Sequence, residues 1–218
     1  MQVSTRTFFR QQFENVQQLK SDMLEMQGQI STGKQISVPS EDPVAFSNLA
    51  MLKSRGSRIS QYETNITAIR QRLALEDSTL TQVNAILTRV RELSIQGSND
   101  TLSPADRKTI GLEISSLSDT LIGLANITDA DNKPLFSGTR VDKVPFERNA
   151  DGKVIYHGDA TKVEQSISDS NAMTVNSTGD DVFLSVNTPD GTRKSLFDIV
   201  DSVAATLKRG ESPSSQLS

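Results

Sequence analysis

Between Ile59 and Val90 an apolar residue recurs every three or four positions. The series is Ile59, Tyr62, Ile66, Ile69, Leu73, Glu76, Leu80, Val83, Leu87 and Val90, nine of the ten being apolar. No proline falls between Pro43 and Pro104. A spacing that averages 3.5 residues lays one narrow stripe along a continuous α-helix. The stripe reaches back through Leu52 to Ala45, with Asn48 and Arg55 as polar interruptions. A helix over residues 45–97, rising 1.5 Å per residue, is roughly 80 Å long. A compact domain of 218 residues cannot enclose such a rod. The stripe therefore predicts packing against other long helices, within the chain, between chains, or both.

The flanking segments follow the same logic. Phe9, Phe13, Val16, Leu19, Met23, Met26 and Ile30 predict a first helix over residues 5–32, with Gly33 at its stop. Residues 33–43 hold Gly33, Pro39 and Pro43 and read as a connector. Asp42 then caps the long helix, with Pro43 in the first turn where its missing N–H costs nothing. Ser103-Pro104-Ala105-Asp106 is a second helix start, a cap with proline at the first position and an acid three residues on. Ile110, Ile114, Leu117, Leu121 and Leu124 give the third helix its stripe, to about residue 127. The short link over 98–102 makes helices two and three antiparallel.

After Thr128 the period shortens. Glycines and prolines punctuate short stretches of strand character. Asn149-Ala-Asp-Gly152 before Lys153–His157 is a hairpin signal, and Val163–Ile167 alternates apolar and polar. Val182–Val186 is another strand candidate, although Asp180-Asp181 could instead begin a turn. Leu196, Ile199, Val200, Val203 and Leu207 predict an amphipathic helix over about 194–208, before a polar tail. The expected fold is α+β: an elongated antiparallel long-helix, coiled-coil-like rod domain with a smaller β-rich outer domain. The expected segments are 1–43 (core helix and connector), 44–133 (rod helices), 134–193 (β-rich) and 194–218 (return helix and tail).

Composition agrees. Hydrophobic residues are 35% and aromatics 5%, with no Trp, which is lean for one large core and ordinary for helices with narrow stripes. Net charge is −4, which does not predict a nucleic-acid surface. No apolar run approaches the ~20 residues that span a bilayer. The opening Met1-Gln-Val-Ser-Thr5 carries no charged-then-apolar signal peptide. Cysteine is absent, which excludes disulfides, thiolate nucleophiles and thiolate metal sites.

Candidate chemistry is sparse. Gly28-Gln-Ile-Ser-Thr-Gly33-Lys34 matches a phosphate-loop spacing, but Gln35 stands where a magnesium-binding hydroxyl belongs and the preceding stretch is helical. Asp129-Ala-Asp131-Asn132-Lys133 resembles the start of a calcium loop, but Lys133 and Pro134 replace an oxygen donor and the turn glycine. A polar turn is the better reading. His157 is the sole histidine and has no nucleophile motif beside it. Glu76 interrupts the stripe, either as a register device or as a solvated joint. Asn65-Ile-Thr67, Asn126-Ile-Thr128 and Asn176-Ser-Thr178 have the glycosylation pattern without a secretory signal, and are read as coincidence. No catalytic, cofactor or metal residue is assigned; the stripe residues are the assigned structural site.

Several stretches resemble the flagellin superfamily. They are Met1-Gln-Val-Ser-Thr-Arg-Thr-Phe-Phe9, Gln29-Ile-Ser-Thr-Gly-Lys34, Pro39-Ser-Glu-Asp-Pro-Val-Ala45, Leu93–Asp106, and Leu124–Asp129 followed by Pro134–Thr139. The Pro-Ser-Glu-Asp-Pro connector is more similar to the hook–filament junction members than to filament flagellin. The resemblance implies a non-enzymatic, extracellular axial protein of the bacterial flagellum, exported by the flagellar type III route without a cleaved signal. It implies as partners further copies in a ring, the first hook-associated protein on the hook side, flagellin on the filament side, and an export chaperone that recognises a C-terminal helix. It implies neither nucleic acid nor membrane. Filament flagellin, or another non-enzymatic coiled-coil surface protein, is the alternative. The family pattern has a long C-terminal helix, whereas this sequence ends at Ser218 after a short helix and a tail. That predicts a truncated pattern in which Phe9, Phe13 and Val16 lack their packing neighbour and residues 1 to about 40 are mobile or displaced.

Overall fold

The computed structural model describes residues 2–33, 35, 39–40, 42–188 and 191–213, with the backbone alone for 2–5. Lys34, most of the connector over 34–41 and the tail beyond residue 213 lie outside the described residues. The fold is α+β. Helix α1 is Gln2–Thr32, α2 is Pro43–Gly97, α3 is Pro104–Ala125 and α4 is Leu196–Lys208. Three antiparallel strand pairs lie between α3 and α4: β1 (Phe146–Arg148) with β2 (Val154–Tyr156), β3 (Glu164–Ser166) with β4 (Ala172–Thr174), and β5 (Val186–Asn187) with β6 (Arg193–Lys194). Contacts group the chain into two compact units, Met1–Ser60 and Gln61–Ser218. That division rests on packing, whereas the segments set out above rest on chain order and period.

Helix starts follow the local chemistry. Asp42 Oδ1 accepts the N–H groups of Val44 and Ala45 at 3.0 and 2.9 Å. Ser103 and Asp106 form a reciprocal capping box ahead of α3, with Pro104 in the first turn. Ser195 caps α4 through Phe197 N–H. Each cap satisfies donors that a helix leaves unpaired at its start. Gly33 closes α1 at a φ of 63°, a conformation that costs glycine little.

The turn after Gly97 sends the chain back. Arg89 reaches Glu113 at 2.8 Å and Arg72 reaches Asp129 at 3.0 Å, each pair about equally far from the turn, so α2 and α3 run antiparallel. Helix α4 closes on α3. A Cβ on Gly111 would stand 2.8 Å from Lys208 N and 3.0 Å from Ala204 O, so only a residue without a side chain allows this approach. Lys208 Nζ reaches Ser115 Oγ at 2.7 Å. Leu93, Ile114, Leu121, Val200, Val203 and Leu207 are buried together.

The β1–β2 hairpin pairs Phe146 with Tyr156 and turns through Gly152, as the Asn-Ala-Asp-Gly signal predicts. Val182–Val186 corrects the sequence reading. Asp180–Leu184 is a single π-helical turn, and only Val186 enters a two-residue strand. The turn carries Phe183 into an aromatic cluster, 5.2 Å from Phe136, 5.3 Å from Phe146 and 5.6 Å from Phe197 between ring centres. Burying that ring outweighs the local strand preference of Val-Phe-Leu. Strands β1, β4, β5 and β6 carried no sequence signal of their own that identified them.

Candidate assembly surfaces

The stripe on α2 has two fates. In the Gln61–Ser218 unit its centre is a strict seven-residue series, Ile69, Glu76, Val83, Val90 and Gly97, every member buried. Leu80 and Leu87 are partly buried and packed on that core. Ile66 and Leu73 are half-buried. On α3, Ile110, Ile114 and Leu121 are buried, and Leu117 and Leu124 pack against the core from its margin. Thus α3 and α4 cover the stripe from Val83 to the end of α2, while Ile69 lies beside the Asp129–Lys133 turn and the β3–β4 hairpin.

In the Met1–Ser60 unit the same kind of stripe is open. Leu52 is 63% exposed and Ile59 57%. On α1, Phe9, Phe13 and Val16 are exposed, with Leu19, Met23, Met26 and Ile30. Bulky apolar side chains repeated at helical spacing thus form an exposed apolar face along these helices.

The remaining motifs resolve into structural roles. Gly28–Thr32 lies inside α1, with Thr32 Oγ1 donating to Gly28 O at 2.8 Å, and Lys34 is outside the described residues. Asp129 Oδ1 accepts from the backbone of Asp131 and Lys133 at 3.0 Å each, while Oδ2 meets Arg72. That carboxylate is spent on folding a tight turn, with Asn132 at a φ of 63°. His157 Nε2 stands 3.5 Å from Glu147 on the outer side of the β1–β2 hairpin. Glu76 is 5% exposed, and its Oε2 has no hydrogen-bond partner. Burial rules out the solvated-joint reading and leaves a polar residue in the covered stripe, the arrangement that fixes helix register at a cost in stability.

All three asparagines of the glycosylation-like triplets hold the fold. Asn65 Nδ2 donates to Ser166 O at 2.9 Å. Asn126 clamps Phe146 in both directions, its Oδ1 accepting from Phe146 N and its Nδ2 donating to Phe146 O, each at 2.8 Å. Asn176 Oδ1 accepts Val163 N–H at 2.7 Å, and its Nδ2 donates to Thr161 O at 3.3 Å. An asparagine amide can replace a missing strand partner because it carries both a donor and an acceptor.

Charged residues that periodicity does not mark join the elements. Arg148 reaches Asp201 at 2.8 Å and Asp119 at 3.2 Å, tying β1 to α4 and α3. Ser118 Oγ donates to Asp201 Oδ1 at 2.7 Å. The hydrogen bond to Asp201 raises the Arg148 pKa above its ordinary value, against the opposing effect of burial. Arg72 also donates to the carbonyls of Pro134 and Leu135 at 3.3 and 3.0 Å, pinning the exit from α3. Asp159 accepts from Thr139 N at 3.1 Å and Thr161 N at 2.9 Å, and from the Thr139 hydroxyl. These bonds, the hydroxyl first, pull its pKa down to about 2. Burial raises the pKa of Tyr156, whose Oη lies 2.8 Å from Phe136 O and 2.9 Å from Asp159 O. A lone Arg or Asn among many gives no periodic signal, so only the fold reveals these ties.

Among the described residues no cluster of His, Cys, Asp or Glu has the geometry of a metal site. No described helix is long and apolar enough to cross a membrane.

Comparison with known proteins identifies the family. The model of the bacterial flagellin N-terminal helical region matches residues 3–141. Flagellar hook-associated protein 3 of Salmonella typhimurium is 31% identical over 215 residues, covering 95% of this chain and 67% of that protein. The Escherichia coli protein of the same name is 33% identical over the same shares. The crystal structure of the flagellar junction protein FlgL from Legionella pneumophila superposes with a TM-score of 0.60 at 33% identity, over 66% of this chain and 46% of that one. The chain thus spans about two thirds of the curated relatives, and the match takes in under half of the solved junction protein. An N-terminal helical region matched from residue 3 to residue 141, with hook-associated relatives across 95% of the sequence, places this chain in the bacterial flagellin family.

Proposed function

We propose that the protein is a structural, axial component of the bacterial flagellum that joins hook to filament, and that it acts by assembly rather than catalysis. The observation that carries this reading is the 31–33% identity to flagellar hook-associated protein 3 across 95% of the chain. The open apolar faces of α1 and of α2 up to Ile59 give it a physical means. Covering apolar surface yields about 25 cal/mol per Å², and a long helical stripe sums many such contributions. In this reading the assigned stripe residues divide the labour. Ile69, Val83, Val90, Ile110, Ile114 and Leu121 hold the subunit together. Phe9, Phe13, Val16, Leu52 and Ile59 hold subunits to one another.

The proposed partners are further copies in a ring, the first hook-associated protein on the hook side and flagellin on the filament side. A flagellar export chaperone would act on a C-terminal region. The proposed route out of the cell is the flagellar type III channel, without a cleaved signal. A second reading, filament flagellin, draws on a Clostridium tyrobutyricum flagellin that is 26% identical over 174 residues. Deleting the gene separates the two. The junction role requires cells with intact hooks and flagellin shed into the medium. The flagellin role requires loss of the filament subunit itself.

A further inference from the structure

The two longer hairpins are built on different terms. Hairpin β1–β2 is anchored in the core: Phe146 is buried, Val154 and Tyr156 pack against the core, and Arg148 is tied to α3 and α4. Hairpin β3–β4 leaves all six of its strand residues exposed, while its flanking Val163, Ile167 and Val175 are half-buried. A two-stranded hairpin with no buried face is marginal in water on its own.

Hydrogen bonds hold it at its two ends. At the root, Asn176 clamps Val163 and Thr161, and Val175 N donates to Val163 O at 2.9 Å. Toward the tip, Tyr62 Oη donates to Asp169 Oδ1 at 2.8 Å and Asn65 Nδ2 donates to Ser166 O at 2.9 Å. Between root and tip the hairpin stands off α2. A cavity of about 530 Å³ lies beneath it, walled by Gln165 and Val175 on the hairpin, Ile69, Arg72 and Leu75 on α2, and the Asp129–Lys133 turn. The hairpin therefore forms one wall of a groove that is partly open to solvent.

We infer that β3–β4 is a strap that moves as a unit about its Asn176 root, latched to α2 by Tyr62 and Asn65, and that its release opens the cavity over Ile69. Ile69 is the first buried member of the seven-residue series on α2. The strap thus sets how far down the helix the covered stripe begins. The inference goes beyond the junction role and does not depend on it, because the test reads the isolated chain.

The chain has no cysteine, so a single introduced thiol reports local opening. Ile69→Cys places it on the cavity floor, and Ile114→Cys places a control in the core beneath α4. Alkylation by iodoacetamide is measured in each, alone and combined with Tyr62→Phe and Asn65→Ala. Removing hydrogen bonds of this kind corresponds to about a tenfold change in an opening equilibrium. The strap therefore requires labelling at position 69 to accelerate about tenfold while position 114 is unchanged. An unchanged rate at 69 would overturn the inference. So would an equal acceleration at both positions, since the hairpin would then open only with the whole fold.

Discussion

Two lengths of one helix carry the same stripe and treat it in opposite ways. Beyond Gln61, Val83 and Val90 are buried in one core with α3 and α4. Before it, Leu52 and Ile59 stand in water, as do Phe9, Phe13 and Val16 on α1. Periodicity is the same in both, so it reports where a helix can be covered but not by what. The difference comes from what the chain places alongside. The turn at 98–103 returns α3 onto α2, and Gly111 lets α4 close over both.

The contrast is most exposed to failure at its extremes. Phe146 is buried and Phe13 is open. Truncating a buried ring costs about 3–5 kcal/mol, whereas an exposed one stays within about 0.5 kcal/mol. Phe146→Ala should thus unfold at markedly lower denaturant, and Phe13→Ala should match the parent in chemical denaturation. Equal losses would mean that α1 is packed in solution.

Glycines offer a finer version of the same test. A Cβ on Gly111 meets the α4 backbone, while one on Gly123 meets nothing within 4 Å. Gly111→Ala should cost about 1–3 kcal/mol through overpacking. Gly123→Ala should stabilise by up to about 1 kcal/mol through helix propensity. If both stabilise, α4 does not dock as described. Next in size is the α3 cap. Ser103→Ala removes one half of the capping box and should cost about 1 kcal/mol, read from the thermal midpoint.

The smallest expected effect is a pH dependence. The Asp159 pKa is lowered to about 2, against about 3.9 for an unfolded aspartate. Its contribution is therefore fully present above about pH 4 and fades as pH falls through about 2. Thr139→Val removes the hydroxyl that donates to it, and should flatten the acid limb of the stability–pH curve over that window. An unaltered limb would show that the Thr139–Asp159 contact is not made in solution.

Much of the helical architecture could be read from the residues. Asp42 and the Ser103–Asp106 box mark helix starts because capping is local chemistry, settled within four residues. The α2 and α3 stripes could be read because a long period accumulates signal. The π turn at Asp180–Leu184 could be read only as an alternative start at Asp180-Asp181, since what decides it is the meeting of Phe183 with Phe136, Phe146 and Phe197. Those rings are distant in sequence and neutral about local structure. The amide clamps at Asn126 and Asn176 were hidden for a related reason: an asparagine is recognisable as a clamp only once its partner strand is in place. The open faces were legible as stripes, and that Phe9, Phe13 and Val16 lack a neighbour came from the family resemblance. The openness of α2 at Leu52 and Ile59 could not be read from the stripe. It follows from which helices the chain brings alongside, a property that no window of residues contains.

The proposed junction role requires other chains to cover α2 upstream of Gln61, where Leu52 and Ile59 are exposed. The direct test is to count filaments attached to hooks in cells whose own gene carries Leu52→Asp and Ile59→Asp. The expected outcome is hooks that are complete and bare, with flagellin released to the medium. Filaments attached at the parental frequency would contradict it.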